Sequence, residues 1–230
     1  TIDAGRVTDY RHDLITVSAT IVPEREVQAL VDAALMPYQD ELTQVVGHTD
    51  VALNRNTVLE ATMDNFLLRA LQRQTEAQIA FSNGWRYGAP VPVGAVTLND
   101  LYNITPMNPP LSTIDLTGEE IWAMLEENLE HTFSRDPYRQ MGGYLKRVMG
   151  LTIYIKLENP SGQRLQEVFV QGERMNLGRT YPVVFVTEQG VPAKYGTNRK
   201  QHPTHAVEAM RELLKHSKSE GQLSGTVVAV

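Results

Sequence analysis

The spacing of hydrophobic and polar positions predicts a chain in which helices and strands alternate. Apolar residues recur at helical spacing in residues 23–46, 63–74 and 117–133, and again in residues 204–217. Shorter apolar or alternating runs indicate strands, and these are AQIAFS, LTIYIKL, LQEVFVQG, YPVVFVTEQG and GTVVAV. We therefore predict an α+β fold, in which a mixed sheet carries helices on its outer faces.

Proline and strand-prone residues divide the first 50 residues. Pro37 interrupts the first helical stretch, because proline breaks or kinks a helix, so this stretch forms either two helical pieces or one bent connector. Before it, the residues from Val7 to Val17 have high strand propensity, as expected for the last strand of a preceding domain. Since the chain also begins without Met, we expect it to be a C-terminal part of a longer protein.

Composition narrows the class of function. The 230 residues are 42% hydrophobic, which suffices for a core, and the net charge of -6 argues against nucleic acid as a partner. No run of apolar residues is long enough to predict a membrane span. The absence of cysteine excludes a thiolate metal site and a cysteine nucleophile, but it leaves the compartment open between cytoplasm and periplasm.

The stretch AFSNGWRYG, from Ala80 to Gly88, is a candidate ligand-binding turn. It follows a predicted buried strand, and its two glycines permit a sharp turn that approaches a ligand closely. Arg86 carries a planar fork of five donors that suits an oxyanion. The alternative is a polar turn with one surface arginine.

Histidine patterns do not predict a metal site in this chain. His48 in GHTD and the pair His202 and His205 have superficially suitable contexts, but no pairs of carboxylates accompany them at the spacing that a binuclear site needs. We interpret all three as surface positions. Ser82 lacks the GxSxG context of a nucleophile elbow, so it is not predicted to be a nucleophile.

Four segments taken in order resemble the C-terminal domain of the 5′-nucleotidase family. They are TVLEATMDNFLLRAL, IAFSNGWRYG, VTLNDLYNITPMNPPLSTIDLTGEEIWAMLE and YPVVFVTEQG. The resemblance implies that residues 1–22 end an N-terminal metallophosphatase domain that the chain lacks. It also implies that residues 23–50 form a linker helix and residues 51–230 a substrate-recognition domain.

Within this family the chain is most similar to the SoxB-type thiosulfohydrolases of sulfur oxidation. The likeness rests on SNGWRYG and on DPYRQMGGYLKRVMGL, residues 136–151. It implies that Arg86 holds the substrate oxyanion, with Asn83, Gly84 and Trp85 in the same turn. Asn83 either binds the anion or simply takes a left-handed turn conformation.

The resemblance also implies partners and cofactors. The loop residues Tyr138, Gln140, Gly142 and Gly143 are expected to line a groove for a peptide of a SoxYZ-like sulfur carrier, although a solvated loop explains them equally well. Two manganese ions are expected in the missing N-terminal domain. This chain is expected to contain no catalytic and no metal-binding residue. The expected reaction is hydrolysis of a carrier-bound thiosulfonate to release sulfate, in the periplasm.

Two departures from the family patterns affect the expected substrate. Nucleotidases stack the base between two aromatic rings, whereas TPMNPP places Met107 and Asn108 in the loop that carries the first ring. Loss of a ring costs about 1–3 kcal/mol of stacking, which disfavours a nucleotide. Tyr144 replaces an Asp of the SoxB-type pattern, which indicates a divergent SoxB-like relative rather than a thiosulfohydrolase proper. The alternative function is a phosphoesterase domain that binds a phosphate monoester.

Overall fold

The computed structural model describes residues 1–18, 20–84, 88–142, 144–217 and 220–230. It divides the chain into two compact units, Thr1–Asp40 and Glu41–Val230. The helices are α1 (Arg25–Leu35), α2 (Gln39–Leu42), α3 (Thr62–Arg73), α4 (Leu98–Ile104), α5 (Gly118–Phe133), α6 (Thr187–Gly190) and α7 (Ala206–His216), with 3-10 turns at Met36–Tyr38 and Pro137–Arg139.

The strands are short and most lie in the second unit. They are β1 (Ile2–Asp3), β2 (Arg6–Val7), β3 (Val45–Thr49), β4 (Ile79–Ser82), β5 (Gly94–Thr97), β6 (Pro110–Thr117), β7 (Arg147–Met149), β8 (Leu151–Ile155), β9 (Leu165–Val170), β10 (Glu173–Arg174), β11 (Thr180–Phe185), β12 (Thr197–His205) and β13 (Val227–Ala229).

The first unit corrects one prediction from the sequence. The strand expected between Val7 and Val17 does not form, and the described chain from Thr8 to Ser18 contains neither helix nor strand. A strand needs a neighbour for its hydrogen bonds, and the described part of this unit offers only the two-residue pair of β1 and β2. The hydrophobic side chains of this segment are exposed.

The first helical stretch ends where proline predicts. Glu24 caps α1 by accepting a hydrogen bond from the backbone N–H of Val27, and α1 ends at Leu35, two residues before Pro37. The expected helix to Val46 is wrong at its end, because β3 begins at Val45 and pairs with β5. Strand pairing thus overrides the helical spacing there.

The second unit is built on a five-stranded mixed sheet. Its order is β12-β6-β11-β4-β7, in which β11 and β4 run parallel and the other neighbours run antiparallel. A second sheet has the order β10-β9-β8-β13, and β3 pairs with β5. Parallel and antiparallel pairs occur in both larger sheets, which confirms the predicted mixed architecture.

Two hydrophobic clusters cover the two faces of the five-stranded sheet. One cluster joins that sheet to α3, α4 and α7, and the other joins it to α5 and the second sheet. Helices therefore flank the sheet on both sides, and the predicted α+β class is confirmed. Among the described residues, no helix is both long and apolar enough to cross a membrane.

Capping boxes fix the start of two helices that follow strands directly. Thr97 and Asp100 exchange side-chain and backbone hydrogen bonds at the start of α4, and Thr117 and Glu120 do the same for α5. Each box satisfies two backbone N–H groups that would otherwise be left unpaired. The helix expected over residues 117–133 thus begins directly after Thr117, the first residue of this T-x-x-E spacing.

A buried ion triad links distant parts of the second unit. The carboxylate of Asp64, in the first turn of α3, accepts hydrogen bonds from Nε of Arg55 and Nε of Arg147, each at 3.1 Å. All three side chains are almost completely buried. The pKa of Asp64 is raised by burial, although the guanidinium charges of Arg55 and Arg147 oppose the shift.

Backbone carbonyls complete the triad. Arg147 donates to the carbonyls of Thr57 and Val58 at 2.5 and 2.8 Å, and Arg55 donates to the carbonyl of Ile104 at 2.6 Å. The triad therefore holds the loop before α3, the end of α4 and the start of β7 against each other. Removal of one partner leaves buried charge unpaired, which is far more costly than loss of an exposed ion pair.

We predict that Asp64→Asn lowers the free energy of unfolding by about 3–5 kcal/mol, because two buried guanidinium groups lose their shared counter-ion. Chemical denaturation followed by circular dichroism measures this change. The matched control is Glu119→Gln, which removes an exposed carboxylate from the first turn of α5 and should cost less than about 1 kcal/mol. Equal effects of the two substitutions would contradict the structural role of the triad.

Candidate substrate-binding site

Several loops meet at one end of the five-stranded sheet. The parallel strands β4 and β11 both end there, with Phe81 opposite Phe185. Their antiparallel neighbours β7 and β6 begin there, since Arg147 pairs with Ser82 and Ser112 pairs with Phe185. The carboxyl ends of parallel strands are the usual place for a ligand in sheets of this kind.

A cavity of about 460 Å³ opens at this end of the sheet, on the side of α5. We call it the β4–β11 cavity. It is lined by Asn83, Asn128, His131, Thr132, Met141, Gly142, Tyr144, Lys146, Glu188, Gln189, Pro192 and Ala193. A volume of this size accommodates a small ligand or one end of a larger one.

The turn after β4 reaches the cavity through Asn83. Its side chain is 5% exposed, and its amide Nδ2 donates to Oε1 of Gln189 at 2.5 Å. Its Oδ1 is buried and has no hydrogen-bond partner within the part of the chain that the structure describes. An unpaired buried acceptor is costly, so it favours a ligand or water that donates a hydrogen bond.

Close packing explains both glycines of the AFSNGWRYG turn. A Cβ atom on Gly84 would lie 2.7 Å from the carbonyl oxygen of Leu145 and 2.8 Å from Nε of Arg147. Gly88 has φ +91°, and a Cβ there would lie 2.6 Å from the carbonyl oxygen of Asn103. Both ends of the turn are therefore packed against neighbouring backbone, and one end also contacts the ion triad.

Lys146 is the buried cation of the cavity, and the sequence analysis missed it. The side chain is 7% exposed, and Nζ donates to the carbonyls of Gln189 and Gly190 at 2.6 and 3.0 Å. Its backbone N–H donates to Oδ1 of Asn128. Burial lowers the pKa of Lys146 to about 8, against the attraction of Glu127.

The predicted site residues are only partly brought together. Asn83 and Gly142 line the β4–β11 cavity, and Gly84 follows Asn83 in the same turn. Three predicted residues, Trp85, Arg86 and Gly143, lie outside the described residues.

The remaining predicted residues have other surroundings. Tyr138 is 96% exposed and Met107 is 86% exposed, while the amide of Gln140 donates to the carbonyl of Ser134 at 2.7 Å. Asn108 has φ +40°, and its Oδ1 accepts from the backbone N–H of Val207 at the start of α7. None of these four lines the cavity.

The histidine candidates do not form a metal site in the described part of the chain. Nε2 of His202 lies 2.9 Å from Oγ1 of Thr113, and Nδ1 of His205 donates to the carbonyl of Asn108 at 2.6 Å. No group of three or more His, Asp or Glu side chains comes together among the described residues.

Comparison with known proteins places this fold and this turn in one family of hydrolases. The 5′-nucleotidase C-terminal domain family matches residues 45–187, well over half of the chain. The chain therefore belongs to this family, and the recognition from the sequence is confirmed.

Particular relatives differ in what they act on. The sulfate thiohydrolase SoxB of Thermus thermophilus has a similar structure, with a TM-score of 0.78 and 27% identity over 89% of this chain. A 5′-nucleotidase precursor, also from Thermus thermophilus, has a TM-score of 0.73 and 25% identity over 89% of this chain. The trifunctional nucleotide phosphoesterase YfkN of Bacillus subtilis is 30% identical over 141 residues, 58% of this chain.

The chain spans only part of these relatives. It covers 38% of the SoxB chain, 43% of the 5′-nucleotidase chain and 9% of YfkN. The likeness thus concerns only part of each relative.

We predict that Gly84→Ala destabilises the second unit by about 1–3 kcal/mol, because the added Cβ meets the backbone oxygen of Leu145, which cannot move without shifting β7. Denaturant melts of the two proteins measure the difference. Gly178→Ala is the control, since its Cβ would meet no atom closer than 3.6 Å. If Gly84→Ala is as stable as this control, the turn is not held as described.

Proposed function

We propose that this chain is the substrate-recognition domain of a two-domain, dimetal hydrolase of the SoxB type. Such an enzyme hydrolyses a carrier-bound thiosulfonate: water attacks the sulfonate sulfur, the sulfur–sulfur bond breaks, and sulfate leaves. The sulfur on the carrier side keeps the bonding electron pair. The other partners in this proposal are an N-terminal metallophosphatase domain and a peptide of a SoxYZ-like carrier.

The lining of the β4–β11 cavity is the observation that supports this proposal best. The cavity combines a buried ammonium, Lys146, with the amide groups of Asn83 and Asn128. Apart from the imidazole of His131, Tyr144 is the single aromatic residue among its described lining residues. An oxyanion suits this lining better than a nucleotide base, because nucleotidases bind the base between two aromatic rings.

Arg86 is proposed to hold the substrate oxyanion, as its place in the turn implies. A guanidinium on a packed turn orients a tetrahedral anion and stabilises charge that develops during the reaction. Gly84 and Gly88, on either side of it, are the packed positions of that turn. Tyr138, Gln140, Gly142 and Gly143 stay proposed as the side that admits the carrier peptide.

The metal ions are proposed to bind outside this chain. Two manganese ions in the N-terminal domain would activate the attacking water. The described residues of this chain do not fit a metal cluster, since no three suitable side chains come together. We also propose a periplasmic location, where such enzymes meet their carrier.

A phosphoesterase acting on a phosphate monoester is the second candidate. It is favoured by the 30% identity with a nucleotide phosphoesterase of Bacillus subtilis. Phosphate and sulfonate groups are both tetrahedral oxyanions, so the same turn suits either of them.

Hydrolysis assays of the full-length protein with manganese distinguish the two candidates. We predict efficient release of sulfate from a thiosulfonated carrier peptide and poor release of phosphate from AMP, because the described lining of the β4–β11 cavity offers a base only one aromatic ring besides an imidazole. Product formation is measured by ion chromatography for both substrates under the same conditions. Efficient AMP hydrolysis without sulfate release would reject the SoxB-type proposal in favour of the phosphoesterase.

Arg86→Ala in the full-length enzyme is predicted to lower kcat/KM by about 100-fold, because a donor to the transition-state anion is lost. Steady-state kinetics with the preferred substrate measure the change. Arg211→Ala is the matched control, since this arginine is exposed on α7. A value for Arg86→Ala within a factor of about two of that control would exclude the proposed role.

A further inference from the structure

Lys146 is a buried cation with no counter-ion nearby in the described part of the chain. Its Nζ contacts two backbone carbonyls, those of Gln189 and Gly190, and no ion pair to it occurs among the described residues. An ammonium has three N–H donors, so one of them is not used by these carbonyls. Burial of a charge without an opposite charge is unfavourable unless something in the site compensates for it.

The groups around Lys146 do not supply that compensation. Among the described residues that line the cavity, Glu188 carries the only carboxylate, and its side chain is exposed. Glu127, on α5, attracts Lys146 only from a distance. Instead, His131 and Asn128 of α5 contribute further groups able to donate hydrogen bonds. The cavity is thus rich in donors and poor in negative charge.

We propose that Lys146 makes the β4–β11 cavity an oxyanion-binding subsite that takes a sulfonate, phosphate or carboxylate group of the substrate. This inference rests on the proposed function in taking the cavity as part of the substrate site. It adds a residue and a chemical class of ligand to that site. Asn83, whose buried Oδ1 is unpaired within the described chain, accepts a hydrogen bond from a hydroxyl or N–H group beside the anion.

Because of Lys146, the number of protons taken up when an anion binds to this subsite depends on pH. A nearby anion favours the charged form of Lys146 and raises its pKa, which burial otherwise lowers to about 8. At pH 8 roughly half of the free sites are uncharged, so anion binding takes up as much as about half a proton per site. At about pH 6.5 the lysine is already charged, and it takes up no proton. A guanidinium such as that of Arg86 stays charged at both values, and it cannot produce this effect.

The groups that face Lys146 determine which control variants the test needs. Glu127 and His131 approach it from α5, Tyr144 from the preceding loop and Glu188 from α6. Of these, His131 is the other side chain with a basic nitrogen. His131→Asn is therefore the control for the source of the proton, and Lys156→Met, at an exposed lysine after β8, is the control for general loss of charge.

Isothermal titration calorimetry of the intact protein tests the proposal with sulfate, phosphate and acetate as separate probes. Titrations in two buffers of different ionisation enthalpy, at about pH 6.5 and about pH 8, give the affinity and the number of protons taken up. We expect proton uptake at the higher pH that is absent at the lower one, with the three probes ranking the preferred group. Lys146→Met should weaken binding about tenfold or more and abolish the uptake.

Lys146→Arg keeps the test decisive if Lys146→Met fails to fold. Arginine retains the charge without titrating, so it should preserve binding within a few-fold and still abolish proton uptake. His131→Asn removes one donor of the cavity lining but should leave the proton uptake at about pH 8 in place, and Lys156→Met should leave both quantities unchanged. Unaltered affinity in folded Lys146→Met, uptake that persists in Lys146→Arg, or no binding by the unsubstituted protein would overturn the proposal.

The result of the anion-binding test can be distinguished from the result of the hydrolysis assay that tests the proposed function. Anion binding linked to Lys146, together with no release of sulfate from a thiosulfonated carrier, would retain the subsite and reject the SoxB-type reaction. Sulfate release without any contribution of Lys146 to anion binding would do the reverse.

Discussion

The buried triad of Arg55, Asp64 and Arg147 is the constraint on which the rest of the second unit depends. Arg55 lies in the loop before α3, only nine residues from Asp64, whereas Asp64 and Arg147 are 83 residues apart. Such a triad contributes little net stability compared with a hydrophobic replacement, but it tolerates no missing partner. Its effect is therefore to fix one arrangement of α3, β7 and the loop before α3. Because Arg147 also packs against Gly84, that arrangement determines where the turn after β4 runs.

The alternation of side chains along β7 and the residue before it directs two neighbouring cations, Lys146 and Arg147, to opposite faces of the sheet. Successive side chains of a strand point to opposite faces, and here Met149 joins the cluster with α3 while Val148 joins the cluster with α5. Arg147 correspondingly faces Asp64, whereas Lys146 faces the β4–β11 cavity. A scaffold residue and a cavity residue are thus adjacent in sequence, and a shift of β7 by one residue would exchange them.

Local patterns predicted the elements well, and long-range pairing explains what they missed. The start of α5 and the buried strand before the turn follow from the T-x-x-E spacing and from AQIAFS, and both depend on neighbours in sequence. The triad joins residues from separate segments, and no spacing in the sequence marks them. They differ from other charged residues only in being buried, which the fold alone reveals. Lys146 was missed because a lysine beside an arginine normally indicates a solvated surface. The prediction of a strand between Val7 and Val17 was wrong because high strand propensity alone does not provide a neighbouring strand to pair with.

The two sides of the candidate site are under different physical constraints. On the triad side, Gly84 and Arg147 are in such close contact that neither can change alone. On the cavity side, Lys146 is held by backbone carbonyls of Gln189 and Gly190, which any side chain at those positions supplies. The segment before them includes Thr187 at φ +63°, a conformation that is costly for a β-branched residue and is retained only where the surroundings impose it. Substitutions in this loop can therefore alter the cavity while the turn after β4 stays fixed, so the same fold can present different cavities at this end of the sheet.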